Sequence, residues 1–495
     1  MVSPIRLLAL IWLGGIFHTI MAQETEPPMV LSLEQCIQIA RQQSPTTLAA
    51  QESYADTYWQ YRGFRASFYP QLTLTGTAPV YSQRLTSVIQ QDGSTRIRKQ
   101  GNISNSLSLG ISQQIPLTGG TLRLSTDLQR VNEFLPADTA FWSGTPVSLT
   151  YRQPVFAVNT MRWNRQMEPL RYQLAEKQHL ETLENINISI TRAYFTAYIA
   201  QIAKDIATIN VTVNDTIFAI SEKRYEVGKI AENELLESEL QLMNAENSLT
   251  SAELELERAL RNLKIRLGLP LTREVILEAP QDYPQTRIDP EFALEQARAN
   301  ASFPLNNRLQ LLQAERTVYE TRADQRFSAT MNASLGYNQT GATIAELYQS
   351  PSNQGGFSIS FDIPLFQAGQ GKDQIKASLA RQREVQINSR VNELEFEQDV
   401  YFQVKQFQLS YQQLLIATKA DTIGARRFEV AKNRYLIGKV DITEFFRAQA
   451  DKDNARRSYL QAMQNYWVAF YGLRRLTLYD FEKGEELNFA LPRGL

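Results

Sequence analysis

Few side chains in this chain could do covalent or metal chemistry. Among 495 residues there is one cysteine, Cys36, and there are two histidines, His18 and His179. Cys36 can form no internal disulfide and has no companion at metal-ligand spacing; the helical pattern around it reads as a buried thiol. So few imidazoles and thiols exclude most metal sites and most nucleophile–base–acid triads. No nucleophile elbow, phosphate loop or metal motif occurs, and no cofactor is implied. Glu232 and Glu234 form an acid pair of the kind general acid–base catalysis uses, but on a helix such a run is ordinarily a solvated face. A formal charge of −1 and a pI near 6.3 give no sign of a nucleic-acid partner. The remaining polar signal is a charged turn written twice.

That turn reads Arg224-Tyr225-Glu226-Val227-Gly228-Lys229 and again Arg434-Tyr435-Leu436-Ile437-Gly438-Lys439, 210 residues later without a gap. The register continues through Glu234 and Glu444, Asn244 and Asn454, and Leu263 and Leu473, so the chain is an internal duplication. Each half predicts the same order. A short helix comes first, over 32–66 and 290–326. The first of these opens on the capping-box pattern Ser32-Leu33-Glu34-Gln35 and the second on Asp289-Pro290. Alternating segments follow, then a long helix over 160–227 and 370–437, the glycine turn, and a further helix over 232–267 and 442–476. A helix of about 68 residues is a rod of roughly 100 Å, and the two shorter helices of each half together match it. Leu183, Ile186, Ile190, Ala193, Ala197 and Ala200 make a heptad seam whose small residues permit close approach.

Between the helices the period changes from 3.6 to 2. Six segments alternate, around Leu72–Leu74, Leu107–Ile111, Leu122–Leu128, Val147–Tyr151, Met331–Tyr337 and Phe357–Ile363. Aromatics at their ends (Tyr69, Tyr81, Trp142, Phe156, Phe327, Phe366) suit interfacial girdles or plain packing. Residues 1–22 read as a secretory signal peptide, with Arg6, an apolar run and Ala22 at the cleavage point. No later stretch reaches the roughly 18 apolar residues a spanning helix needs, so a membrane crossing must use strands. Four to six strands close no membrane barrel alone and an open edge in lipid is not tolerated, so several chains must share one barrel. An exported coiled-coil scaffold would explain the helices and the leader but not the strands.

These features together resemble the TolC-like outer-membrane efflux protein family. The match lies in Leu31-Ser32-Leu33-Glu34-Gln35-Cys36-Ile37 with Ser44-Pro45 after it, in the duplicated Arg-Tyr-x-x-Gly-Lys turns, and in the exits Pro116-Leu117 and Pro364-Leu365. The resemblance implies a mainly α chain that contributes strands to a transmembrane β-barrel, with strand–long-helix repeats forming a trimeric barrel and a periplasmic α-helical tunnel. Residues 23–277 and 278–495 are the two repeats, and 268–289 and 477–495 supply a belt. It implies a homotrimer in outer-membrane lipid that works with a periplasmic adaptor and an inner-membrane pump or transporter. It places Arg224, Tyr225, Gly228, Lys229, Arg434, Tyr435, Gly438 and Lys439 at adaptor-docking tips, and makes Glu234, Glu444 and Arg447 candidates for the gate. Each motif also has a local explanation. Glycine and arginine suit a helix C-terminus, and Asp441-Ile442-Thr443-Glu444 has capping-box spacing. The sequence departs from the family in an extra first-half hairpin near 104–131, which could join the barrel or lie outside it.

Overall fold

Ser44 and Pro45 decide how the chain enters its first repeat. In the computed structural model, which describes residues 27–89, 93–135, 138–280 and 287–488, β1 (Met29–Leu31) leads into α1 (Leu33–Gln43). The capping box is complete: the Gln35 N–H donates to Ser32 Oγ and the Ser32 N–H donates to Gln35 Oε1. The single helix expected over 32–66 is instead two, because Pro45 drives Ser44 to ψ 135° and restarts the chain as α2 (Pro45–Ala66). The expected signal peptide lies outside the described residues.

Four strands follow, β2 (Gln71–Ile89), β3 (Thr95–Gln114), β4 (Thr121–Leu135) and β5 (Thr139–Val155). Then come α3 (Thr160–Glu226), α4 (Glu232–Leu267) and β6 (Val275–Leu277). The second repeat opens with α5 (Pro290–Asn300) and α6 (Ser302–Asp324), again two helices where one was expected, broken at the extended Ala301. Asp289 stands at the N-cap of α5 without a side-chain cap bond, so Pro290 at the first helical position is what marks this start. The chain continues through β7 (Ser328–Gly341), α7 (Glu346–Gln349), β8 (Ser352–Asp362), α8 (Gln370–Leu436), α9 (Ile442–Thr477), β9 (Tyr479–Asp480) and β10 (Glu485–Glu486).

The two long helices α3 and α8 are each 67 residues, about 100 Å of rod. Along α3 pack α1 and α2 in one half of its length and α4 in the other; α5, α6 and α9 do the same for α8. The two hairpins meet through α3 and α9. The heptad seam is real: Ile186, Ile190, Ala197 and Ala200 are buried, with Leu183 and Ala193 packed at its margin.

The largest core lies where the short elements cross the rods. Leu31, Cys36, Tyr194, Phe195, Leu263, Leu277, Phe407, Tyr466 and Leu473 are buried together there. Burial pushes the Cys36 thiol up to about 12, so it is the inert buried thiol the sequence suggested. A parallel pair, β1 with β6, ties the segment before α1 to the link between repeats, and β9 pairs antiparallel with β10. At the same level Glu184, 2% exposed, receives Arg41 at 2.9 Å and Arg474 at 3.3 Å, and Arg474 reaches Asp480 at 2.9 Å. One carboxylate thus joins α1, α3 and α9, and Arg474 extends the network to the tail.

Candidate functional site

Both glycine turns are Schellman motifs with the same bonds. After α3 the Gly228 N–H donates to Tyr225 O and the Lys229 N–H to Arg224 O, each at 2.8 Å; after α8 the Gly438 N–H donates to Tyr435 O at 2.9 Å and the Lys439 N–H to Arg434 O at 2.8 Å. The glycines take φ of +69° and +72°. A Cβ on either would meet nothing within 4 Å, so what these positions require is the left-handed backbone, not space.

The turns lie side by side, and their side chains are used unequally. Arg224 Nη2 donates to Tyr435 O at 3.3 Å and Leu436 O at 3.0 Å, and its guanidinium lies 5.1 Å from the Tyr435 ring centre. Cations favour a helix C-terminus, here that of the opposite repeat. Tyr435 is 3% exposed, its hydroxyl 3.2 Å from Ser221 Oγ, within an apolar knot of Ile217, Phe428, Ile442 and Phe445. Its repeat-mate Tyr225 is 42% exposed, and Arg434, Lys229 and Lys439 are exposed as well. The eight turn residues therefore gather at one end, with the Arg224 and Tyr435 side chains engaged and those of Tyr225, Lys229, Arg434 and Lys439 facing out.

Glu444 has two jobs. Its N–H donates to Asp441 Oδ1 at 2.7 Å, so Asp441 is a true N-cap of α9. Its carboxylate does not turn back to complete a box; it pairs with Arg427 of α8 at 3.3 Å, and Arg427 also pairs with Asp451. Sequence reasoning missed Arg427 and Asp451, since only the antiparallel α8–α9 hairpin brings them beside Glu444. Glu234 is half-buried in the first turn of α4, whose N-cap Ala231 offers no side-chain bond, and Arg447 is exposed on α9.

At the far end, β2-β3-β4-β5-β7-β8 form one antiparallel six-stranded sheet. The hairpin expected near 104–131 is β3 and β4, longer than expected and within the sheet. One face carries leucines, isoleucines and phenylalanines that stand exposed, among them Leu72, Leu74, Leu109, Ile111, Leu124, Leu149, Leu335, Phe357 and Ile359. The other face is serine, threonine, asparagine and glutamine with Arg123 and Asp127. Aromatics gather where strands meet helices, with Phe156 and Phe327 rings 5.6 Å apart, and again toward the far loops, with Tyr81 on Phe134 and Trp142 under Arg130. Among the described residues no helix is long and apolar enough to cross a membrane, and no group of His, Cys, Asp and Glu is placed to hold a metal.

A duplicated pair of 100 Å helical hairpins hung from a sheet that is apolar on one face and polar on the other defines an outer-membrane channel subunit. The chain belongs to the outer membrane efflux protein family, whose sequence profile matches residues 138–269 and 307–477. Its fold is similar to that of the Campylobacter jejuni CmeC outer membrane channel (TM-score 0.65, 15% identity, 93% of this chain and 87% of that one). It is similar also to the Vibrio cholerae outer membrane protein VceC (0.63, 16%, 92% and 97%) and to the open state of the Neisseria gonorrhoeae MtrE outer membrane channel (0.59, 14%, 93% and 90%). No curated protein sequence matches the chain.

Proposed function

We propose that this chain is the outer-membrane component of a tripartite efflux or type I secretion system, carrying solutes from a periplasmic tip to the cell exterior. The observation that carries the reading is the six-stranded sheet, whose exposed apolar face needs lipid and whose two outer edges need further strands. Three copies supply those strands, as is usual in this family.

The helices support the same assembly. Phe402, Leu409, Ile416, Ile423 and Val430 recur every seven residues along α8 and Ile437 continues the spacing at its C-cap, all exposed. The repeat-mates of Leu409, Ile416, Ile423 and Val430 on α3, namely Ile199, Ile206, Val213 and Ile220, are half-buried in a helix that packs along α9, whereas those of Phe402 and Ile437 are the exposed Arg192 and Val227. The duplication supports packing of the α8 stripe against α4 of a neighbouring copy, where Leu236, Leu240, Met243 and Leu254 are also exposed. By the same relation, exposed Tyr225 and Arg434 find in the neighbour what Tyr435 and Arg224 find within the chain.

In this reading residues 23–277 and 278–495 are the two repeats. The turn residues Arg224, Tyr225, Gly228, Lys229, Arg434, Tyr435, Gly438 and Lys439 form the tip that meets a periplasmic adaptor, and an inner-membrane pump lies beyond it. Glu234, Glu444 and Arg447 stand just inside the tip as the gate. The test is charge reversal of Lys229 and Lys439 together, with export and the amount of outer-membrane trimer measured in the same cells. Export should fall while trimer persists; undiminished export would remove these lysines from adaptor docking.

A further inference from the structure

The family profile matches residues 138–269 and 307–477, so β2, β3 and β4 lie outside its match. We propose that the β3–β4 hairpin is part of the barrel wall, so that three copies close an 18-stranded barrel by pairing β8 of each copy with β2 of the next. The inference rests on the trimeric channel reading above and goes beyond it in what the wall contains.

Four observations carry it. First, one apolar row runs through the hairpin without a break: Leu72 lies opposite Ile111, Ile111 opposite Leu124, Leu124 opposite Leu149, and Leu149 opposite Leu335; in the next row Thr126 is the one polar residue, opposite Leu109. The adjacent polar row is equally continuous, from Thr73 through Gly110, Ser125, Ser148 and Gly336 to Gln354. A hairpin folded into the lumen or onto the outer rim would take Ile111 and Leu124 away from lipid and leave β2 to pair directly with β5. Second, β3 and β4 have 20 and 15 residues, more than the roughly 9–11 a tilted strand needs to span.

Third, the turn between them is tied to the place where the sheet meets the helices. Asn159, whose side chain caps α3 by accepting from the Arg162 N–H, donates through Nδ2 to Pro116 O at 2.8 Å. Gln153 of β5 donates to Thr118 O at 2.9 Å, and Gln113 donates to Phe68 O at 2.8 Å, beside the end of α2. The hairpin's foot thus stands level with the feet of β2 and β5. Fourth, the open edges have the right polarity. β2 leaves the helical end and β8 returns to it, so β8 of one copy and β2 of the next meet antiparallel, as β2–β3 and β7–β8 already do.

Barrel diameter grows about linearly with strand number. Eighteen strands in place of twelve make a mouth about 1.5-fold wider, with about twofold the cross-section. The wall then accepts bulkier cargo than the tip, which leaves discrimination to the charged turns.

Paired cysteines along the polar row test this. Ser125→Cys with Ser148→Cys spans neighbouring strands, whereas Thr73→Cys with Ser148→Cys lies three strands apart, about 14 Å at the usual strand spacing, beyond disulfide reach. Cys36, buried and with its thiol pushed up to about 12, stays out of the exchange. In outer membranes treated with oxidant, the first pair should cross-link within a chain and the second should not, in particles of trimer mass. Cross-linking of Thr73→Cys with Ser148→Cys, or failure of the adjacent pair in an assembled trimer, would put the hairpin outside the wall. A dimer with the expected cross-links would overturn the count and the trimer together, whereas a trimer with the wrong cross-links would overturn only the wall. For the unmodified protein, strands counted in a nanodisc reconstruction should number 18; 12 would refute the proposal.

Discussion

Gly438 holds φ +72° at the end of a 67-residue helix, with open space where a side chain would go. A β-branched residue there pays about 1–2 kcal/mol of backbone strain without a clash, far from the sheet. Gly438→Val should therefore leave outer-membrane trimer near its normal amount while export-dependent resistance falls. Normal resistance with normal assembly would contradict a tip role, and lost assembly would move the role to folding. Glu444 makes a second case. Arg427 faces two carboxylates, Glu444 and Asp451, so the cluster keeps one negative charge in excess. Glu444→Gln removes that excess and leaves the Asp441 cap on its backbone intact. At the gate proposed above, three such clusters would favour cations, so the mutant channel should show a weaker cation preference in planar bilayers. The difference should shrink at 1 M salt, where screening acts within about 3 Å. Unchanged reversal potentials across a low-salt gradient would leave Glu444 as a structural partner of Arg427. At this scale the glycine turns were legible because a 210-residue repeat announces itself, and both Schellman motifs fell on the glycines it marked. The Arg427 cluster was not legible, because its members meet only across an antiparallel hairpin.

Among the elements, one buried charge cluster joins α1, α3 and α9 through single residues. Glu184 is enclosed by α3, α1 and α9 with Arg41 and Arg474 turned toward it, and Arg474 is itself largely covered. Taking away one member of a buried charge set strands the others, at a cost of about 3 kcal/mol or more. Glu184→Leu should lower the temperature at which detergent-solubilised trimer dissociates, while Arg41→Leu, whose side chain is partly exposed, should lower it less. Equal and negligible shifts would show that the network carries no stability. The long helices were read from periodicity to within a residue at their tip ends, since 3.6-residue patterning over 67 positions is strong. Their short companions were read as single helices and each is two. Each break had a proline beside it that the single-helix reading passed over, Pro45 at the start of α2 and Pro304 in the first turn of α6. The β1–β6 pair could not be read at all: three residues joined across the length of a repeat leave no local pattern.

For the whole molecule, the isolated chain is unfinished in three places at once. The sheet has two open edges, α8 carries an exposed heptad stripe, and Tyr225 and Arg434 lack the cover their repeat-mates have. One operation, a threefold ring that places α4 and β2 of a neighbour against α8 and β8, answers all three. The most direct measurement is the mass and location of the native protein. Membranes separated by density and extracted in mild detergent should yield a trimer from the outer-membrane fraction that opens ion-conducting channels in planar bilayers. A monomer recovered without detergent from the soluble periplasmic fraction would contradict the account.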